Sequence, residues 1–142
     1  MSETNAGAES NEHKQLIQRA VVRMVSGRAS VPHPYVIVIP PTHGTCLVVN
    51  LSSIKGNRSD DNTCTFRAGE HPMITLPSYA FYRGAELLEP ETLRNQANPT
   101  STTVSDTLLG KSPWRRLMTG FLESIHTPEE VHQFLIQIPR KK

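Results

Sequence analysis

Long apolar runs are the first thing this chain lacks. Its longest falls far short of the ~20 residues needed to span a bilayer, which excludes a membrane-spanning helix. The opening residues Met1 to Asn5 show no basic region followed by an apolar core, so a secretory signal is not expected and a cytoplasmic, reducing setting is. Cysteine is scarce: Cys46 and Cys64 are the only two, and they are expected as free thiols, acting as small strand hydrophobes. Zinc held by Cys46, Cys64, His71 and His33 would lack the compact ligand spacing of structural zinc sites. With no His-x-x-x-His pair and no carboxylate cluster, a metal hydrolase is the weakest reading, and no metal or other cofactor is expected. Strong charge of one sign is also missing; a net charge of +2 is not by itself the footprint of a nucleic-acid binder. Internal repeats are absent. What remains is 142 residues, 37% hydrophobic and 20% charged, enough for one soluble domain with a real core.

Residues 1–12 are small, polar and without periodicity, and read as a disordered tail. Residues 13–96 read as a β-barrel domain. Between His13 and Val25, Ile17, Val21 and Val25 repeat at helical spacing, yet Ala20 to Val25 also suits a strand, so the expectation is a helix at the front and a strand at the end. Pro32 and Pro34 hold His33 extended ahead of a strand over Tyr35–Ile39. A turn over Pro40–Gly44 leads to a second strand, Thr45–Leu51, close enough to pair as a hairpin. After the polar loop Ser52–Asp61, Cys64 and Phe66 alternate with Thr63 and Thr65 as in a half-buried strand. Short strands are expected over Pro72–Leu76 and Ser78–Arg83, and a helix from Pro90.

Residues 97–111 read as a linker loop rich in Asn, Thr and Ser, and 112–139 as a helical hairpin packed on the barrel. Its first helix has Ser112 as N-cap, Pro113 at the first position, and a stripe of Trp114, Leu117, Met118, Phe121, Leu122 and Ile125. The second opens on a Thr127–Glu130 capping box and carries Val131, Phe134, Leu135 and Ile138. The fold class expected is α+β: a small, strongly bent antiparallel β-barrel with a C-terminal α-helical hairpin.

Two phrases carry a resemblance. His33-Pro34 precedes the Tyr35–Ile39 strand, and Asn50-Leu51-Ser52-Ser53 follows Cys46–Val49. Over roughly residues 20–83 this pattern resembles the MazF/PemK toxin family of toxin–antitoxin systems. The resemblance implies an SH3-like barrel and cleavage of single-stranded RNA. His33 stands where that family keeps an arginine, and Ser52 where it keeps a threonine; the long C-terminal extension is atypical of the compact toxin. The chain looks closer to uncharacterised relatives of this barrel that share Gly69-Glu70-His71-Pro72 with a serine and a tyrosine shortly after, here Ser78 and Tyr82. No activity comes with that group.

RNA cleavage by internal transesterification needs a base for the 2′-hydroxyl, an acid for the leaving oxygen, and a cation or donors for the developing charge. His33 and His71 suit the proton transfers. Ser52 and Ser53 suit donation to phosphate; Lys55, Arg58 and Arg83 suit its neutralisation; Tyr82, with Tyr79 and Phe81, suits base stacking. The candidate catalytic residues are therefore His33, Ser52 and His71, and the candidate substrate-binding residues Ser53, Lys55, Arg58, Arg83 and Tyr82. Each has a plainer reading. His33 is pinned between prolines, His71 ties a loop to a neighbouring strand, and the serines cap a strand end. Lys55 and Arg58 are balanced by Asp60 and Asp61, and the aromatic run fills a core. The expected function is a metal-free, toxin-like endoribonuclease. The alternative is a non-enzymatic interaction module binding a protein partner or nucleic acid. Candidate partners are single-stranded RNA, an antitoxin or other protein, and a second copy of the chain as a homodimer; a membrane is not among them.

Overall fold

The computed structural model describes residues 15–26, 31–42, 44–97 and 103–138. The expected tail over 1–12, the front of the 13–25 segment, Gly27, the turn residue His43, the middle of the 97–111 linker and the Pro139 helix stop lie wholly or partly outside them.

Two strands organise everything else. β2 (His33–Ile39) and β3 (Cys46–Ser53) pair antiparallel with Tyr35 opposite Asn50, Val36 opposite Val49 and Ile37 opposite Val48. A bulge between Ile37 and Ile39 then shifts the register. Both strands are nearly continuous apolar runs because both faces of the sheet are covered. Val36, Val38, Leu47, Val49 and Leu51 enter one core. The alternate residues Tyr35, Ile37, Cys46 and Val48 enter a second core on the opposite face.

β1 (Val21–Met24) joins the outer edge of β2, with Met24 opposite His33. The other edge of β3 is shared by two short strands: β5 (Ser78–Ala80) lies along its end and β6 (Glu86–Leu88) along its start. β4 (Thr65–Phe66) pairs with β5. Between β5 and β6 a 3-10 turn, Tyr82–Gly84, crosses the middle of β3, where the Phe81 amide donates to the Asn50 carbonyl (2.9 Å).

Three α-helices follow: α1 (Pro90–Ala97), α2 (Lys111–Glu123) and α3 (Glu129–Gln137). Leu93 and Ala97 of α1 fill the second core; Leu117 and Phe121 of α2 and Val131 of α3 fill the first. None of the helices among the described residues is long and apolar enough to cross a membrane.

The α+β class holds, but the sheet is not closed into a barrel. Its path runs β1-β2-β3-β5-β4, with β6 on β3. The outer edge of β1 is occupied by the segment after α1: the Arg23 amide donates to Thr103 (2.8 Å), the Ser105 amide to Val21 (2.9 Å), and Val22 bridges Val104. The described part of the expected linker is therefore packed, with Val104 and Leu109 fully buried.

Local expectations fail where side chains find other partners. No helix forms over residues 15–20; Gln18 and Arg19 turn, and Arg19 takes a left-handed φ of 76° while its guanidinium Nε donates to the Leu109 carbonyl (2.8 Å). Residues 72–76 form a turn instead of a strand, closed by the Ile74 amide on His71 (2.8 Å). α2 starts two residues early with Gly110 as N-cap, so Ser112 is not the cap; its hydroxyl accepts from Arg116 (3.3 Å). The Thr127–Glu130 capping box does not form: Pro128 is the N-cap, and the Thr127 hydroxyl donates to the Phe121 carbonyl (2.9 Å). His132 Nε2 donates to that carbonyl as well (3.0 Å), fixing the corner between α2 and α3.

Candidate functional site

The second face of the sheet changes character along its length. At one end Ile37, Cys46 and Val48 pack under α1. Side chains two residues apart on a strand share a face, so Tyr35 and His33 on β2 fall in line with Asn50 and Ser52 on β3. Carrying the Tyr35–Asn50 register two residues further sets His33 opposite Ser52. Glu86 on β6, opposite Val48, faces the same way. The apolar core thus grades into a polar hollow of about 680 Å³, walled by His33, Tyr35, Asn50, Ser52, Phe81, Arg83 and Glu86, with Ser26 also on its lining.

The 3-10 turn is pressed against this hollow. A Cβ on Gly84 would come within 2.6 Å of the Phe81 ring and 3.1 Å of Asn50 Oδ1, so only glycine fits. Arg83, beside it, is exposed at the rim and donates through Nη2 to Nδ1 of His126 (2.5 Å), from the corner between α2 and α3. Ser26 closes another side: its hydroxyl donates to Glu86 Oε1 (2.8 Å) and its carbonyl accepts from the Tyr35 hydroxyl (3.3 Å). Burial first, and the nearby Glu86 carboxylate second, push the Tyr35 phenol up to about 12. Asn50 is buried, and its amide reaches Ser52 Oγ (3.4 Å). The His33 ring is half-buried, makes no hydrogen bond among the described residues, and also lines a smaller hollow of about 160 Å³ with Arg23, Ser53, Thr75 and Ser78.

The fold brings together His33, Ser52 and Arg83 of the candidates read from the sequence. His71 is elsewhere. It is buried, Nε2 donates to the Thr107 carbonyl (2.7 Å), and Nδ1 accepts from the Met73 amide (2.9 Å). Burial holds it below its ordinary value, and with both nitrogens engaged it ties the 69–74 turn to the segment before α2. Tyr82 is fully buried, donates to the Leu117 carbonyl (2.7 Å) and meets the Phe121 ring edge-on, so no base can stack on it. Ser53 accepts from Lys55 Nζ (2.9 Å) on the rim of the smaller hollow. Lys55 and Arg58 sit in an exposed loop organised by Asp60, whose carboxylate accepts from the amides of Lys55 (3.0 Å) and Gly56 (2.7 Å). Cys46 and Cys64 are free thiols in separate cores; burial pushes the Cys64 thiol up to about 11. Among the described residues no three His, Cys, Asp or Glu side chains cluster as a metal site.

Tyr35, Asn50, Glu86 and His126 are the site residues that sequence reasoning missed, whereas Phe81 was read as a stacking candidate. Alternation from His33 and Ser52 already points to Tyr35 and Asn50. Nothing in the local pattern points to Glu86 or His126, which arrive from a three-residue strand and a helix corner. No family model matches the chain, and comparison with curated proteins and with solved structures gives no match either.

Proposed function

We propose that the protein is a metal-independent endoribonuclease acting on single-stranded RNA, related in manner to the MazF/PemK-like toxins. The observation that carries this reading is the shared cavity of His33, Ser52 and Arg83. On this reading the open sheet is a variant of the SH3-like barrel. A nucleotide enters with its base against the half-exposed Phe81 ring. Its phosphate lies between the Arg83 guanidinium and the hydroxyl and amide donors of Ser52 and Asn50. His33, with no competing hydrogen bond among the described residues, exchanges a proton with the reacting oxygens. An antitoxin would be the natural partner of such an enzyme, and the cytoplasm its natural setting. Incubation of the purified full chain with single-stranded RNA in EDTA tests the reading. Cleavage lost in a His33→Ala variant supports it; intact RNA at high enzyme excess, with no growth defect on expression, removes it.

One observation favours the second reading, an interaction module. Leu122, Ile125 and Ile136 on α2, its C-terminal corner and α3 are exposed, and a groove of about 560 Å³ between Ile39, Met118, Leu122 and Leu135 lies beside them. Light scattering coupled to size-exclusion chromatography distinguishes it: a strict monomer that captures no partner counts against this alternative.

A further inference from the structure

The cleavage reading leaves one role unfilled. Transesterification needs a group that takes the 2′-hydroxyl proton and another that gives one to the leaving oxygen. His71 cannot be the second, since both of its nitrogens are engaged outside the cavity. The ionisable side chains on the cavity wall are His33, Tyr35, Arg83 and Glu86. Arg83 stays a cation. The Tyr35 phenol is raised, by burial and then by Glu86, to about 12. Two ionisable groups remain on the wall, His33 and Glu86.

We infer that Glu86 is the general base of this site, paired with His33 as the general acid; the inference rests on the ribonuclease reading above. Glu86 is presented by β6 on the face that carries Tyr35 and Asn50. The Ser26 hydroxyl holds its Oε1 at 2.8 Å, and Oε2 has no donor among the described residues. Oε2 takes the proton of the ribose 2′-hydroxyl as the 2′-oxygen bonds to phosphorus. The bond from phosphorus to the 5′-oxygen breaks, and the His33 imidazolium gives that oxygen its proton. The products end in a 2′,3′-cyclic phosphate and a 5′-hydroxyl. Glu86 has gained one proton and His33 has lost one, and exchange with water restores both.

A purely structural Glu86, fastening β6 to Ser26, is the competing account. Glu86→Gln separates the two, because the amide oxygen still accepts from Ser26 but takes no proton. The full chain is assayed in EDTA on single-stranded RNA with an ordinary 5′-oxygen, and on the same RNA with sulfur in that bridging position, which leaves without a proton. Wild type should cleave both, with a bell-shaped pH profile on the oxygen substrate and no basic limb on the sulfur one. E86Q should be slower by about 10²–10⁴-fold on both and lose the acidic limb of the profile. His33→Ala should be slower on the oxygen substrate but within about tenfold of wild type on the sulfur one. Glu86→Asp, which keeps the carboxylate, should fall by about 10–100-fold and keep the acidic limb, and it carries the test if E86Q does not fold. E86Q, or failing that E86D, at the wild-type rate with an unchanged profile overturns the assignment of Glu86 alone. Wild type that leaves both substrates intact overturns the ribonuclease reading and this inference with it.

Discussion

Polar groups around the core beneath α2 are buried and bonded; those on the opposite face, beyond α1, are left open to a cavity. Around the first core the Tyr82 hydroxyl is spent on Leu117, His71 on Thr107 and Met73, and the Ser124 hydroxyl on Asp61 (2.7 Å). Burial raises the Asp61 carboxyl, but the hydrogen bonds from Thr63 and Ser124 outweigh it and hold the group below its ordinary value. On the other face, among the described residues, His33 has no hydrogen-bond partner and Arg83 is held at the rim by the His126 imidazole. Histidine is a strut in one region, at His71, and stands open to a cavity in the other, at His33. Access to solvent separates the two uses, not residue identity.

The sharpest way to break the contrast is to remove a strut. Phe121→Ala deletes a buried ring that meets Tyr82 edge-on, centroids 4.8 Å apart, and should lower stability by about 3–5 kcal/mol in urea titration. Gly120→Ala comes next. Its Cβ would lie 2.0 Å from the Tyr82 hydroxyl, and overpacking of this kind should cost about 1–3 kcal/mol. Adding Tyr82→Phe should recover part of that loss in a double-mutant cycle.

A pH series probes His71 directly. Its native value lies below the ordinary 6.5 because burial disfavours the charged ring, so the unfolded chain binds the proton more readily than the folded one. The stability this neutral ring contributes is complete above about 6.5 and drains away as pH falls through the lower native value. Urea midpoints should therefore decline on acidification over that window, and His71→Gln should flatten the slope. On the open face the opposite is expected. His33→Ala should change stability by no more than about 0.5 kcal/mol while RNA cleavage falls by about 10²–10⁴-fold. The smallest effect should come from Ile125→Lys, at a side chain 91% exposed: unfolding within about 0.5 kcal/mol of wild type, with any self-association in light scattering abolished.

The parts of this fold that were legible in the sequence are those where one physical rule dominates. Tyr35–Ile39 and Cys46–Leu51 read as strands because apolar residues, β-branched at their centres, run nearly unbroken through them, and Pro90 announces α1 because its fixed φ suits a first turn. The stripe on α2 is half right. Leu117 and Phe121 are buried, but Leu122 and Ile125 face solvent, since α2 ends at Glu123 and α3, starting at Glu129, does not cover them. Barrel closure was not legible, because it depends on which segment claims the edge of β1, and residues 103–105 carry no strand pattern. The site divides in the same way. His33 and Ser52 are found by alternation on two well-marked strands. His71 is indistinguishable in sequence from a reactive histidine until its two neighbours are known, and Glu86 lies in a stretch too short for any periodicity.

The covered edge of β1 has a consequence for assembly. Strand-by-strand growth requires a row of unpaired backbone groups. On that side the row is already claimed from within the chain, and at the far end β4 offers only two residues, one of whose carbonyls accepts from Arg116 (3.4 Å). A second molecule cannot extend this sheet from the β1 side and gains little from the β4 side. Among the described residues, strand-by-strand growth from these two ends is therefore disfavoured.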